Sequence, residues 1–305
     1  MGFLLLVLLV YCPFVALSMK ISPIDSHLHV WSSGDPPFPW EAGQTPPEAL
    51  QDSQPPHLLK EMELAGVDGA LIVQPINHKF DHSYVTSVLC DDRYAGRFKG
   101  MGLLDPACDD DYLLRLKQEG YVGVRFNPYL FTDAVPMGGS RAQALYQQCG
   151  LLGLSVGFMC FRGLRLHVED IVSLVDSSPE TTAIIDHWGF FLQNGVPEED
   201  SWQALLRLGR TYPQVHCKVS APFRNSVEVH PYPDLGPRLR EAVDVFGANR
   251  LMAGSDYPFV RTFDGTGGYV RSFSGPLWGQ EGGILSDEER AWVLRGTAEK
   301  VFGKW

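Results

Sequence analysis

The chain has 305 residues, 45% of them hydrophobic, and a formal net charge of -11. That length and composition support a sizeable buried core and exclude a disordered or fibrous class. An acidic chain without a local lysine/arginine run is also excluded as a non-specific nucleic-acid binder, so an anionic ligand must be met by individually placed arginines.

Residues 1–18 come first and read as a leader. Phe3 to Leu17 is almost wholly apolar, and Ala16-Leu17-Ser18 offers small residues at the offsets of a secretory cleavage site. The stretch is short for a membrane span and contains Pro13, so no span is expected in the mature protein. Met19 offers a second reading, in which translation starts there and the product stays in the cytoplasm or a plastid. Compartment and oligomeric state are left open by the sequence.

From residue 21 to residue 303 strand and helix alternate. Apolar runs of strand length fall at Ile21–Val30, Gly69–Gln74, Lys99–Leu104, Tyr121–Asn127, Leu154–Cys160, Thr182–His187, Val215–Ser220 and Arg250–Ser255. Between them helices are predicted over Pro56–Ala65, His82–Tyr94, Asp109–Gln118, Gly139–Leu152, Leu166–Asp176, Glu198–Thr211, Pro233–Phe246 and Ser286–Phe302. Ser286 followed by Glu289 has capping-box spacing, and Gly66, Gly120, Gly153 and Gly247 stand where helices end. This repetition predicts an α/β fold, a single-domain (β/α)8 TIM barrel; no Gly-x-Gly-x-x-Gly follows the first strand to support an open doubly wound sheet. Two connections are long, Ser32 to Pro56 and Tyr257 to Leu285. The aromatic residues of the second (Phe263, Tyr269, Phe273 and Trp278) suggest a lid over the barrel mouth.

Reactive groups of such barrels sit at the C-terminal strand ends. There the chain carries Asp25-Ser26-His27-Leu28-His29, in which alternation sets His27 and His29 on one face with Asp25 as a partner to orient an imidazole. Gln74 ends the second strand, Arg125 and Asn127 share a face of the fourth, His187 ends the sixth and Asp256 follows the eighth. Arg224 lies beyond the seventh, whose Lys218 and Ser220 face inward as a polar layer; His78, Asp81 and His82 read as helix-capping and rim residues. Six cysteines, Cys12, Cys90, Cys108, Cys149, Cys160 and Cys217, show no C-x-x-C spacing, and none is expected to be catalytic. Carboxylate, imidazole and guanidinium groups gathered in this way can supply a base for water, hydrogen-bond donors and a fork for a ligand carboxylate.

Gly123-Val124-Arg125-Phe126-Asn127, Asp186-His187-Trp188-Gly189, the Lys218 to Arg224 segment and Gly254-Ser255-Asp256-Tyr257-Pro258, with the opening His-x-His, give a chain that resembles the amidohydrolase superfamily. The resemblance is to its lactonase-like branch, which includes 2-pyrone-4,6-dicarboxylate lactonase and L-fuconolactonase, and to amidohydrolase-family proteins of plants and algae. It implies that Asp256 is the general base, that His27, His29 and His187 surround a substrate carbonyl, and that Arg125 and Arg224 hold carboxylate; Gln74 and Asn127 are read from their own amides at strand ends as hydrogen-bonding partners for substrate. Where the dicarboxylate lactonase has a further arginine after strand four, this chain has Tyr129-Leu130-Phe131.

The binuclear centre of other superfamily members is not expected, because strand four presents Arg125 and strand five has no histidine. No cofactor is favoured; one Zn²⁺ or Mn²⁺ on His27, His29, His187 and Asp256 is the alternative. The expected function is hydrolysis of a small lactone, sugar-derived or carboxylate-bearing. The rivals are a mononuclear metal-dependent amide hydrolase or non-oxidative decarboxylase, and a catalytically silent binding or scaffold barrel.

Overall fold

A computed structural model describes residues 21–263, 267–279 and 283–305. The leader, residues 1–18, and the alternative start at Met19 lie outside the described residues. Eight parallel strands are hydrogen-bonded in chain order: β1 Ile24–Leu28, β2 Gly69–Val73, β3 Phe98–Leu103, β4 Tyr121–Phe126, β5 Ser155–Phe158, β6 Ala183–Ile185, β7 Val215–Lys218 and β8 Leu251–Met252. Between β8 and β1 the seam is drawn together by Ser26 N–H to the Ala253 carbonyl (3.1 Å) and Asp256 N–H to the His27 carbonyl (2.8 Å). The expected barrel is therefore present, and it is nearly closed.

The helices of the outer layer are α1 Pro55–Ala65, α2 Ser83–Leu89, α3 Tyr112–Gln118, α4 Ser140–Leu151, α5 Val168–Ser177, α6 Glu199–Thr211 and α7 Leu235–Phe246. α1 starts with proline at its first turn and ends where Gly66 adopts φ 68°, a left-handed cap that a side chain would strain. α6 buries Trp202, Leu205 and Leu208 against the strands while Glu199 and Asp200 face its positive N-terminal end. Burying each such side chain contributes about 1.5–3 kcal/mol. The predicted helix over His82–Tyr94 is instead two pieces, α2 and a 3-10 turn at Asp92–Tyr94. The last helix begins at Asp287 under the expected Ser286/Glu289 capping box, widens to a π-turn over Trp292–Gly296 and ends at Phe302.

Inside the barrel two levels differ in chemistry. The lower is apolar (Ile24, Leu71, Val73, Met101, Ile184 and Met252) and is plugged from below by Ala298 and Phe302 of the last helix. The upper holds His27, Asp186 and Lys218, each with 0% exposure. β1 changes register between the levels: Asp25 pairs with Ala70 but Leu28 with Ile72, so β1 spends one residue more than β2 over that step. That bulge brings Ile24 and His27 to the same inner face and turns Asp25 outward. The expected partnership of Asp25 with an imidazole is thereby corrected. Its carboxylate instead accepts from Ser255 N–H (3.0 Å) and Ser255 Oγ (2.6 Å), pinning β1 to the segment that carries Asp256.

The two long connections rise side by side, as the barrel order requires, and Arg261 Nη1 clasps Asp52 Oδ1 across them at 2.7 Å. The aromatic lid is corrected in large part. Tyr269, Phe273 and Trp278 are buried in the core shared with the outer helices, because the short helix Gly268–Arg271 folds down onto the barrel wall. Phe263 alone of the four is exposed, stacked on Phe223 with ring centroids 4.5 Å apart. Among the described residues no helix is long and apolar enough to cross a membrane.

Candidate active site

The strand ends converge on Asp256. Its Oδ1 lies 3.4 Å from His29 Nε2 and 3.9 Å from both His27 Nε2 and His187 Nε2, while Oδ2 accepts from Arg224 Nε at 2.6 Å. Backbone geometry at these ends is unusual: His187, Ala221 and Asp256 have φ of 49°, 49° and 57°. Left-handed conformations at such residues cost about 1–3 kcal/mol each and persist only where packing enforces them. Here they turn side chains from β6, β7 and β8 over the barrel axis.

Each imidazole is held from behind. His29 Nδ1 donates to the Val73 carbonyl (2.8 Å), an atom that can only accept. His187 Nδ1 meets Ser220 Oγ at 2.8 Å, and the His187 carbonyl accepts from Asn225 Nδ2 at 3.1 Å. His27 Nδ1 meets Lys218 Nζ at 3.2 Å. Lys218 Nζ also pairs with Asp186 Oδ1 at 3.2 Å, so an ion pair with no solvent contact lies directly beneath the histidines. Asp186 was visible in the Asp186-His187 motif but has no role in the sequence reading; its place follows from register, since Ile184 pairs with His216 and so sets Asp186 level with Lys218.

Above these groups opens a cavity of about 220 Å³. His29, Arg125, Asn127, His187, Arg224 and Asp256 line it, and Trp31, Met159, Phe161, Phe190 and Phe259 supply apolar walls that sequence reasoning did not name. The aromatic walls come from loops, whose approach to the mouth no strand pattern signals. His27 sits just beneath, fully buried, with Nε2 making no hydrogen bond. Gln74 stands apart: its amide donates to the Lys79 and Asp81 carbonyls (3.1 and 2.8 Å) and holds the turn after β2 rather than facing the cavity. Asn127 Oδ1 accepts from Tyr129 N–H at 3.1 Å, which leaves its amide N–H groups for the cavity. Tyr129 itself packs on Phe161 with centroids 4.3 Å apart and brings no charge.

Electrostatics separate the acids from the bases. Burial by itself raises the Asp256 carboxyl, but Arg224 and then His187 and His29 overturn this and hold it well below the usual carboxylate range. Asp186 behaves likewise: burial is opposed by Lys218 and His27, and the carboxylate stays ionised. His187 is pushed down to about 4 by burial, against the pull of Asp256 and Asp186, so it is neutral near pH 7. His27 is lowered further, by burial and then by Lys218. Burial lowers Arg125 too, whose guanidinium has, among the described residues, one hydrogen bond, Nη2 to the Gln74 carbonyl at 3.1 Å, and an Nε with none. No carboxylate among the described residues forms an ion pair with it. Lys218, Arg125 and Arg224 stand with three buried carboxylates, Asp25, Asp186 and Asp256, and of the three cations Arg125 is the one that makes no ion pair among the described residues, which leaves its guanidinium open to a ligand. Burial pushes the Cys160 and Cys217 thiols up, as suits packing residues.

His27, His29 and Asp256 each offer one ligand atom, all within 4.8 Å of one another, a spacing that suits one divalent ion. β4 presents the Arg125 cation to the same cavity, and β5, Ser155–Phe158, contains no histidine. The hydrogen bond from Lys218 to His27 Nδ1 disagrees with a ligand role for His27, because it leaves the ring proton on Nε2.

Known proteins resemble this chain in sequence and in fold. The chain is 24% identical over 262 residues to L-fucono-1,5-lactonase of Burkholderia ambifaria, covering 81% of this chain and 83% of that protein. It is 27% identical over 248 residues to 2-pyrone-4,6-dicarboxylate hydrolase of Comamonas testosteroni, covering 77% and 76%. A crystal structure from Pseudomonas putida assigned as a 2-pyrone-4,6-dicarboxylic acid hydrolase superposes with a TM-score of 0.73 at 25% identity, over 93% of this chain and 98% of that one. The amidohydrolase family profile matches residues 24–304, and this chain belongs to that family.

Proposed function

We propose that the protein is a hydrolase that opens a small lactone bearing one carboxylate, using water activated by Asp256. The observation that carries this reading is the unpaired Arg125 guanidinium facing a cavity of about 220 Å³ beside Asp256. A buried guanidinium without an anion is costly, and a ligand carboxylate meets it as a fork. Trp31, Phe161, Phe190 and Phe259 favour a flat ring over a polyol. The names of the relatives support the reaction class, and Tyr129 in place of a further arginine supports one carboxylate rather than two.

In this reading Arg224 holds Asp256 Oδ2, so that Oδ1 is the oxygen turned to the histidines and to the attacking water. Asp256 takes the water proton as the carbonyl carbon is attacked and returns it to the departing alkoxide. Charge gathering on the carbonyl oxygen is met by His27 Nε2–H, with the Lys218 ammonium behind it. Arg125 and Asn127 fix the ring. A mononuclear metal enzyme is the second reading, favoured by the 4.8 Å clustering of His27, His29 and Asp256.

The test is a turnover screen of lactones with a free carboxylate, their methyl esters, N-acyl amides and aryl carboxylic acids, each with and without prior chelation. The expected result is ring-opening of the free-carboxylate lactones, with kcat/KM at least about tenfold above the esters. Amide cleavage or release of CO₂, with no lactone opened, overturns the proposal and selects the second reading.

A further inference from the structure

We propose that Lys218 is a positioning residue that fixes His27 in its Nε2–H tautomer, reserving it as a hydrogen-bond donor and withholding it as a metal ligand. The argument starts from donor and acceptor counts. An ammonium has three donors and no acceptor, so the 3.2 Å contact between Lys218 Nζ and His27 Nδ1 requires the lone pair on Nδ1. A neutral imidazole then carries its proton on Nε2. That atom is buried, makes no hydrogen bond and lies 3.9 Å from Asp256 Oδ1, so its N–H is presented at the carboxylate edge where the reacting oxygen atoms come in.

Asp186 is the group that would reverse this. Its Oδ1 is 3.4 Å from His27 Nδ1, and a carboxylate there accepts a proton from Nδ1, freeing Nε2 as a lone pair in the manner of metal-bound histidines. Neither Asp186 oxygen has a well-aligned hydrogen bond, however, whereas Lys218 has one to the ring. Asp186 acts on Lys218 instead: burial lowers the Lys218 ammonium, and the carboxylate 3.2 Å from Nζ is the counter-charge that opposes this. His29, on the same strand face, is held differently: its Nδ1 proton goes to the Val73 carbonyl at 2.8 Å, and its Nε2 lies 3.4 Å from Asp256 Oδ1. The three atoms spaced for an ion include one that points a proton at it.

Long-range ¹H–¹⁵N spectra of histidine-labelled full-length protein read the tautomer directly, without substrate or activity. Wild-type protein should show His27 protonated on Nε2, and Lys218→Arg, which keeps a donor, should show the same. In Lys218→Met the proton should move to Nδ1 under the influence of Asp186, and zinc affinity in a calorimetric titration should rise at least about tenfold over wild type. A wild-type His27 protonated on Nδ1 overturns the proposal even if Lys218→Met does not fold. So does an unchanged tautomer in a folded Lys218→Met, or wild-type protein that binds one zinc per chain as tightly as the variant. A general loss of packing moves neither the tautomer nor the zinc affinity in this direction.

Discussion

Asp186 with Lys218 and Asp256 with Arg224 are the same chemical pairing at two depths of one barrel. In the lower pair both side chains have 0% exposure, and Nζ and Oδ1 are 3.2 Å apart. In the upper pair Nε and Oδ2 are 2.6 Å apart, Asp256 is 2% exposed and Arg224 is 27% exposed. The lower pair has nowhere to go: breaking it strands a charge in a dry interior. The upper pair is open along one edge, where Arg224 and Asp256 both line the cavity. Depth thus assigns one pair to fixing the histidines and the other to chemistry that changes during turnover.

The largest difference should appear when the two carboxylates are removed in turn. Asp256→Asn keeps shape but loses basicity, so kcat should fall by about 10²–10⁴, with a smaller loss of stability from releasing the pair with the partly exposed Arg224. Near wild-type kcat in this variant moves the base to one of the histidines. The lower pair should respond in stability instead. Lys218→Met leaves Asp186 buried without a counter-charge, with only the neutral His27 ring to donate to it, and should cost about 3–5 kcal/mol in denaturant unfolding, much of which the double variant Lys218→Met/Asp186→Leu should restore. If the single and double variants unfold at the same denaturant concentration, the pair is not coupled as drawn.

Arg125 sharpens the comparison because it is a cation of the same barrel level without a protein carboxylate. Arg125→Met should raise KM for a carboxylate-bearing lactone by roughly ten- to hundredfold, the equivalent of about 1.5–3 kcal/mol. The methyl ester of the same lactone should be affected far less. Equal losses for acid and ester mark Arg125 as a structural residue.

Much of this site was legible in the sequence because a parallel barrel makes position along a strand equivalent to height. His27, His29, Arg125, Asn127, His187 and Asp256 were each named from strand ends and two-residue alternation, and they converge. What alternation cannot show is where it breaks. The extra residue in β1 between Asp25 and Leu28 exists only relative to the pairing with β2, and it turned Asp25 away from the histidines it was expected to orient. Lys218 was placed correctly in an inner polar layer, yet its hold on His27 depends on barrel closure, which leaves only β8 between β7 and β1 although the two residues are 191 apart in the chain. Gln74 was read by position alone. Its amide is taken up by the carbonyls of the very turn that follows it, a local competition a strand-end rule does not weigh. The loop aromatics failed the same way: Tyr269 and Phe273 look like lid residues until a short helix folds them into the wall.

The subtlest expected effect concerns the acid side of the pH profile, and it probes the upper pair itself. Burial pushes the Asp256 carboxyl up, but Arg224 and the neighbouring His187 and His29 bring it well below its ordinary value of 3.8. A base held that low stays ionised through the mildly acidic range, and the stabilisation from its pairing is fully present above pH 3.8, to be lost only as the pH falls through the lower folded-state value. Removing the guanidinium in Arg224→Met takes away the strongest of the lowering influences and leaves burial less opposed. The pKa of Asp256 should rise, and the acid limb of kcat/KM should move to higher pH while the alkaline side stays in place. Asp186→Asn, acting on the lower pair, has no such direct line to Asp256 and should leave the limb nearer its wild-type position. An acid limb that does not move in Arg224→Met separates Arg224 from the base and makes it a rim residue, whatever its contact distance.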